Sequence, residues 1–257
     1  MRRMTAVLLL AALSTTTAAL AADRGELASA KRDLQVAADS ASAQGAVKAR
    51  AHFQALSAAE PDDATLHLWV ATATWRAVPL LLKAEPQRAE RLLRDGLQHA
   101  DQAIRLAPKD GEALALKAAL QGLLMRFDPA SMMTIGPESE ANLSRAQILS
   151  PESPRVWFLQ GIHTLHKPAQ FGGSPVKARE QLEHAIGLFA RDSLADSTAF
   201  DWGRGDAYLW AGQASMQSGD PKSAIAFYEQ SLAHDPENRW AQLLLPAARD
   251  SLAKGKP

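Results

Sequence analysis

FGGSP, at 171–175, sets two glycines, a serine and a proline directly before an apolar-periodic stretch. A helix start leaves backbone N–H groups free to hold an anion, so phosphate binding is the first chemistry to weigh. A phosphate loop needs the spacing G-x-x-x-x-G-K-[ST] after a strand, and no strand-like run precedes Phe171. The same residues suit an interhelical turn. Glycine accepts left-handed backbone, Ser174 can cap the following helix, and Pro175 fits its first position.

Histidine supplies the second candidate chemistry. His163 and His166 stand three apart, which places them on one helical face, and His184 follows on the next periodic stretch. A zinc site wants three or four ligands with supporting hydrogen bonds behind them. This set is incomplete, so the histidines are expected as ordinary solvated or packed residues, and neither a metal nor any other cofactor is expected. Asp201, Asp206 and Glu138 make no recognisable carboxylate pair, and no G-x-S-x-G, H-E-x-x-H or nucleotide fingerprint occurs. An enzyme is therefore not expected.

Composition narrows the classes further. The chain has no cysteine, which excludes disulfides, thiolate metal sites and a lipidated N-terminal Cys. Lys+Arg 28 balance Asp+Glu 28, whereas a nucleic-acid binder concentrates positive charge to displace counterions. No nucleic-acid partner is expected. At the N-terminus, Arg2 and Arg3 precede an apolar stretch from Ala6 to Leu13, and Ala19-Leu20-Ala21 has the small-x-small form of a cleavage site. Ser14 to Thr17 interrupts the apolar run well short of the roughly 20 residues a span needs. Residues 1–21 are thus expected to be a signal peptide cleaved after Ala21, giving a periplasmic chain with no membrane span.

The elements that would position all these residues show a repeat. In DAYLWAGQASMQSGDPKSAIAFYEQSLAHDP, residues 206–236, the large Tyr208, the small pair Ala211 and Gly212, then Gly219, Ala224, Tyr228, Ser231 and Pro236 fall at the offsets of a 34-residue helix-turn-helix unit. The stretch resembles the tetratricopeptide repeat family. Close packing is the physical demand behind the pattern: Gly inside a helix costs roughly 0.5–1 kcal/mol relative to Ala, so Gly212 needs a steric reason. RVWFLQGIHTL, 155–165, and KAREQLEHAI, 177–186, repeat the theme through Trp157, Gly161, Ala178, Leu182 and Ala185. QGAVKARAHFQALSAAEP, 44–61, does so through Gly45, Ala49, Phe53, Leu56 and Pro61, after a first helix over about Gly25 to Ala43. Two weaker units keep the terminal Ala and Pro in ADQAIRLAP and LSRAQILSP, with His67 and Leu114 in place of the aromatic. The resemblance implies an all-α, right-handed α-solenoid of about five helix-turn-helix units, near 30–63, 64–110, 111–153, 154–192 and 205–238, closed by a capping helix at 239–253.

That alignment disposes of the phosphate loop: Gly173-Ser174-Pro175 lines up with Gly219-Asp220-Pro221, and Gly45-Ala46-Val47 with the turn of the first unit. Insertions enlarge the turns at 127–137 and 166–175, on one edge of such a stack, and a third, 192–206, separates the last two units. The FGG turn, the later DWG and the terminal repeat, over 155–246, also resemble a group of exported bacterial repeat proteins.

In the family, the first helix of each unit lines a concave groove. Carried over, the groove residues are Arg155, Phe158, Ile162, Leu165 and His166 in the fourth unit, and Asp206, Leu209, Gln213, Met216 and Gln217 in the fifth. Phe158, Leu165, Leu209 and Met216 would floor it, and Arg155, His166, Gln213 and Gln217 would orient polar groups. The reading that follows is an exported scaffold holding a peptide, a partner protein or an envelope component. The alternatives are a solute-binding accessory of a transporter and, behind it, a hydrolase using His163 or His166. Within the fold itself, the opposing expectation is that the apolar residues pack internally and the long insertions close the groove.

Overall fold

The computed structural model describes residues 24–192 and 200–255, all helix or turn, with no strand among them. The expected signal peptide lies outside the described residues, as do 193–199 of the third insertion. Among the described residues eleven α-helices follow one another: α1 (24–39), α2 (Ala43–Ala59), α3 (Ala64–Leu81), α4 (Pro86–Leu106), α5 (Gly111–Leu124), α6 (Met132–Leu149), α7 (Pro154–His166), α8 (Pro175–Arg191), α9 (Arg204–Gln217), α10 (Pro221–His234) and α11 (Arg239–Ala253). From α2 on, each packs against the next, and α3, α5, α7, α9 and α11 also touch along one side. This is an α-solenoid of stacked helix pairs.

Start signals are written in the sequence. The side chains of Ser42, Asp63, Asp110, Ser153, Ser174, Asp220 and Asn238 each accept a backbone N–H from the first turn of the helix they precede, and proline opens α4, α7, α8 and α10. Within pairs, a glycine on one helix admits a side chain of its partner. A Cβ at Gly212 would stand 2.4 Å from Tyr228 Cε1, one at Gly161 2.6 Å from Leu182 Cγ, and one at Gly96 2.5 Å from Thr74 Cγ2. Tyr228, Leu182 and Thr74 are fully buried or nearly so. The small residues thus set the distance between paired helices, and hence the curvature that the stack presents inward.

FGGSP forms a turn. Gly172 takes a φ of +92°, and a Cβ on Gly173 would sit 1.7 Å from the Lys167 carbonyl oxygen. The Ser174 hydroxyl accepts from the Lys177 N–H at 3.3 Å, as the Asp220 carboxylate does from Ser223 at 3.0 Å. The left-handed residue is therefore Gly172, one before the position expected from the alignment.

Two other local expectations are corrected. Gly45 lies inside the first turn of α2, where its N–H reaches the Ser42 hydroxyl at 3.1 Å, and the left-handed position of that turn is Ala41, with φ +50°. The cap at Ser42 starts the helix early, so α1 ends before Ala43. Residues 132–137, expected in the enlarged turn, extend α6 instead, leaving a short 3-10 turn over Pro129–Ser131.

Candidate binding face and pocket

The inner side of the stack is where the first helices of the pairs meet, and its middle is filled by the chain itself. Phe200 and Trp202, just before α9, lie across it. Phe53 stacks on Trp69 with centroids 5.2 Å apart, and Phe200 meets Trp69 edge-on at 4.9 Å. Trp202 reaches Trp75 and Phe158, both at 5.7 Å. Edge-to-face rings gain about 0.5–1.5 kcal/mol per pair beyond area burial, so this segment is held by several contacts at once. Gly203, at φ +94°, then turns the chain into α9, and a Cβ there would stand 3.3 Å from Phe189.

Charged side chains tie the segment down. Arg155, 6% exposed, reaches Glu112 at 3.4 Å and Asp192 at 3.2 Å, with its guanidinium over the rings of Phe189 and Phe200. Burial pushes the Glu112 carboxyl up, opposed by Arg155 and by the Ser153 hydroxyl. Arg76 pairs with Asp206 and lies over the Trp202 ring, and Lys31 pairs with Asp201. Beside the aromatic cluster a pocket of about 300 Å³ stays open, with Gln35, Arg155, Trp202, Arg204, Asp206 and Asp235 among its lining.

The histidines go separate ways. His163 bonds Glu140, which also takes Lys167 at 2.7 Å. His166 meets the Trp210 ring at 5.3 Å, and His184 meets Trp157 at 4.5 Å. Although the residue keeps an exposed side, desolvation where its ring packs, then the charges of Arg126 and His163, push His166 below its ordinary value. Among the described residues, no three His, Cys, Asp or Glu side chains gather as a metal-holding group.

Against this geometry, residues 205–238, which are α9 and α10 with their turns, match the tetratricopeptide repeat family. One helix pair is thus a tetratricopeptide repeat by its sequence, and the rest of the chain shares the fold of such repeats. Solved structures share its fold. The HusA haemophore from Porphyromonas gingivalis is 24% identical with a TM-score of 0.60, over 74% of this chain and 92% of that one. A thermophilic TPR protein of Thermus thermophilus is 15% identical with a TM-score of 0.54, over 85% and 98%. Human IFIT1 with PPP-AAAA is 17% identical with a TM-score of 0.57, over 82% of this chain and 43% of its own, so the present chain spans less than half of IFIT1. Among curated proteins no sequence relative matches.

In repeat terms, the residues carried over to the groove divide into two sets. Phe158, Ile162, Leu165 and Leu209 are buried, and Arg155 is spent on Glu112, Asp192 and two rings. Phe158 lies beneath Trp202, so it cannot floor an open groove. Asp206 is taken by Arg76. His166 and Gln217 are exposed, and Gln213 and Met216 half-buried. These four sit near the turn end of α7 and α9, where Phe171 is 52% exposed on the adjoining loop. Sequence reasoning had no partner for Phe200 and Trp202; two aromatics in an otherwise polar linker were the available signal.

Proposed function

We propose that the protein is an exported recognition scaffold, processed after Ala21, that holds a peptide or partner protein along the turn-proximal half of its inner face. The observation that carries this is the division of that face. Phe200 and Trp202 cover the half near the starts of the inner helices, while His166 and Gln217 stay exposed, and Gln213 and Met216 half-buried, near their ends. The repeat fold supports binding rather than catalysis, and no described helix is long and apolar enough to cross a membrane. Phe171 on the enlarged turn extends the same surface.

The pocket of about 300 Å³ favours a second reading, a small solute held beside the aromatic cluster; it is at the lower end of ligand-sized cavities, and the structurally similar HusA is described as a haemophore.

Export predicts a mature chain whose first residue is Ala22 in the periplasmic fraction; N-terminal sequencing that returned Met1 there would refute it. For the binding face, the mature protein and a Gln213→Glu/Gln217→Glu variant are compared in quantitative capture from that fraction. The variant is expected to lose at least tenfold of the recovered partner with helicity and melting unchanged. Equal recovery would refute the turn-proximal site. Loss with Arg204→Ala but not with the double variant would place binding in the pocket.

A further inference from the structure

Ion pairs account for most of the charge around the open pocket, and two of its lining residues are left over. Asp192 is held by Arg155, Asp201 by Lys31 and Asp206 by Arg76. Arg204, half-buried, donates to the neutral Asp192 carbonyl at 3.0 Å and lies over the Phe189 ring, with no described carboxylate at ion-pair distance. Asp235, also half-buried, accepts from Gln35 Nε2 at 3.4 Å and meets Asp39 of α1, with no described cation at ion-pair distance. The two leftover charges are neighbours: a Cβ on Gly205, the residue after Arg204, would stand 3.9 Å from Asp235 Cβ.

The start of α9 adds unused donors on the same wall. Gly203, at its cap position, has no side chain to offer, and the first helical bond runs from the Ala207 N–H to the Gly203 carbonyl at 2.9 Å. The N–H groups of Arg204, Gly205 and Asp206 therefore have no acceptor within the helix, where its dipole favours an anion. Two side chains supply further donors. Trp202 is 8% exposed and Arg155 6%, both line the pocket, and neither Trp202 Nε1 nor Arg155 Nε has a hydrogen-bond partner. The Nη atoms of Arg155 are the ones that reach Glu112 and Asp192. A buried N–H left without a partner is costly, and an acceptor entering the pocket at the start of α9 would relieve it.

We propose that the pocket binds a free α-amino acid with an apolar side chain, its carboxylate received at the start of α9 by backbone N–H groups with Trp202, Arg155 and Arg204, and its ammonium by Asp235. This rests on the small-solute reading of the pocket and names the solute. An α-amino acid carries its two charges on adjacent atoms of one short backbone, as the contact between the first turn of α9 and Asp235 requires. A simple carboxylate would leave Asp235 and Asp39 without a cation, and a simple amine would leave Arg204 and the buried N–H groups without an acceptor. A charged side chain would find the other charged groups already paired, whereas the rings of Phe189 and Trp202 offer an apolar wall. About 300 Å³ is room for one molecule of this size and too little for a long peptide.

Isothermal titration of the mature protein with L-leucine tests the assignment, with N-acetyl-L-leucine and L-leucinamide as the forms that lack the ammonium and the carboxylate; L-valine, L-methionine and L-phenylalanine follow in the same way. Saturable one-to-one binding of at least one of the four amino acids is expected, weakened about tenfold or more by either blocking group. Asp235→Asn and Arg204→Gln, with helicity and melting unchanged, should each weaken the free amino acid about tenfold. Asp235→Asn should then no longer prefer it to the N-acetyl form, nor Arg204→Gln to the amide. Should either variant unfold, the free and blocked forms on the wild-type protein still decide. Blocked forms that bind as tightly as the free one would keep a solute in the pocket and overturn the amino-acid assignment. No binding of any of the four at millimolar concentration overturns it as well, and leaves the solute reading to the capture experiment with Arg204→Ala.

Discussion

Phe158→Ala is expected to destabilise the protein by about 3–5 kcal/mol, the usual cost of emptying a buried phenylalanine site. Phe158 is 0% exposed, meets Trp75 at 6.1 Å and Trp202 at 5.7 Å, and has Gly203 against its ring. The cavity cannot collapse easily, because the neighbours on each side are large rings fixed by their own partners. For a chain of this size each kcal/mol lowers the melting temperature by about 2–4 °C, so a fall of roughly 6–20 °C in a thermal melt is expected. Gln217→Ala, at an exposed position on the same inner side, should stay within about ±0.5 kcal/mol. If Phe158→Ala melted like the wild type, Phe158 would be a free groove residue and the segment at 200–203 would not cover it. The contrast therefore measures whether the chain occupies half of its own concave face.

The helix pairs were legible because their determinants are local. Caps such as Ser174 and Asp220, prolines at first positions, and the spacing of Gly161, Ala178 and Leu182 or of Gly212, Ala224 and Tyr228 all sit within one repeat. FGGSP could be read as a turn for the same reason. The inner face could not be read, since what covers Phe158 is Trp202, reached only after the last insertion, and the link between Asp39 and Asp235 joins the first helix to the last complete pair. Family positions specify which side chains point inward. They say nothing of an insertion that returns to fill the space, nor of how far the superhelix closes, because that depends on small angles summed over every pair.

Those angles rest on the close glycine contacts, and a matched pair of alanine substitutions separates steric demand from backbone preference. Both Gly212 of α9 and Gly122 of α5 lie inside helices, where alanine is favoured over glycine by about 0.5–1 kcal/mol. At Gly122 nothing stands within 4 Å of the new Cβ, so Gly122→Ala should gain that amount. At Gly212 the new Cβ would stand 2.4 Å from Cε1 and 2.6 Å from Cδ1 of Tyr228. That ring is 1% exposed and belongs to the cluster formed with Leu209, Ala241 and Leu245, so it has little room to turn aside. Overpacking of this kind costs about 1–3 kcal/mol, which exceeds the helical gain, and Gly212→Ala should be destabilising on balance. The two variants should therefore move denaturation midpoints in opposite directions. A Gly212→Ala protein as stable as Gly122→Ala would mean that Tyr228 gives way freely, and that the glycine of the terminal repeat does not set the spacing of α9 and α10.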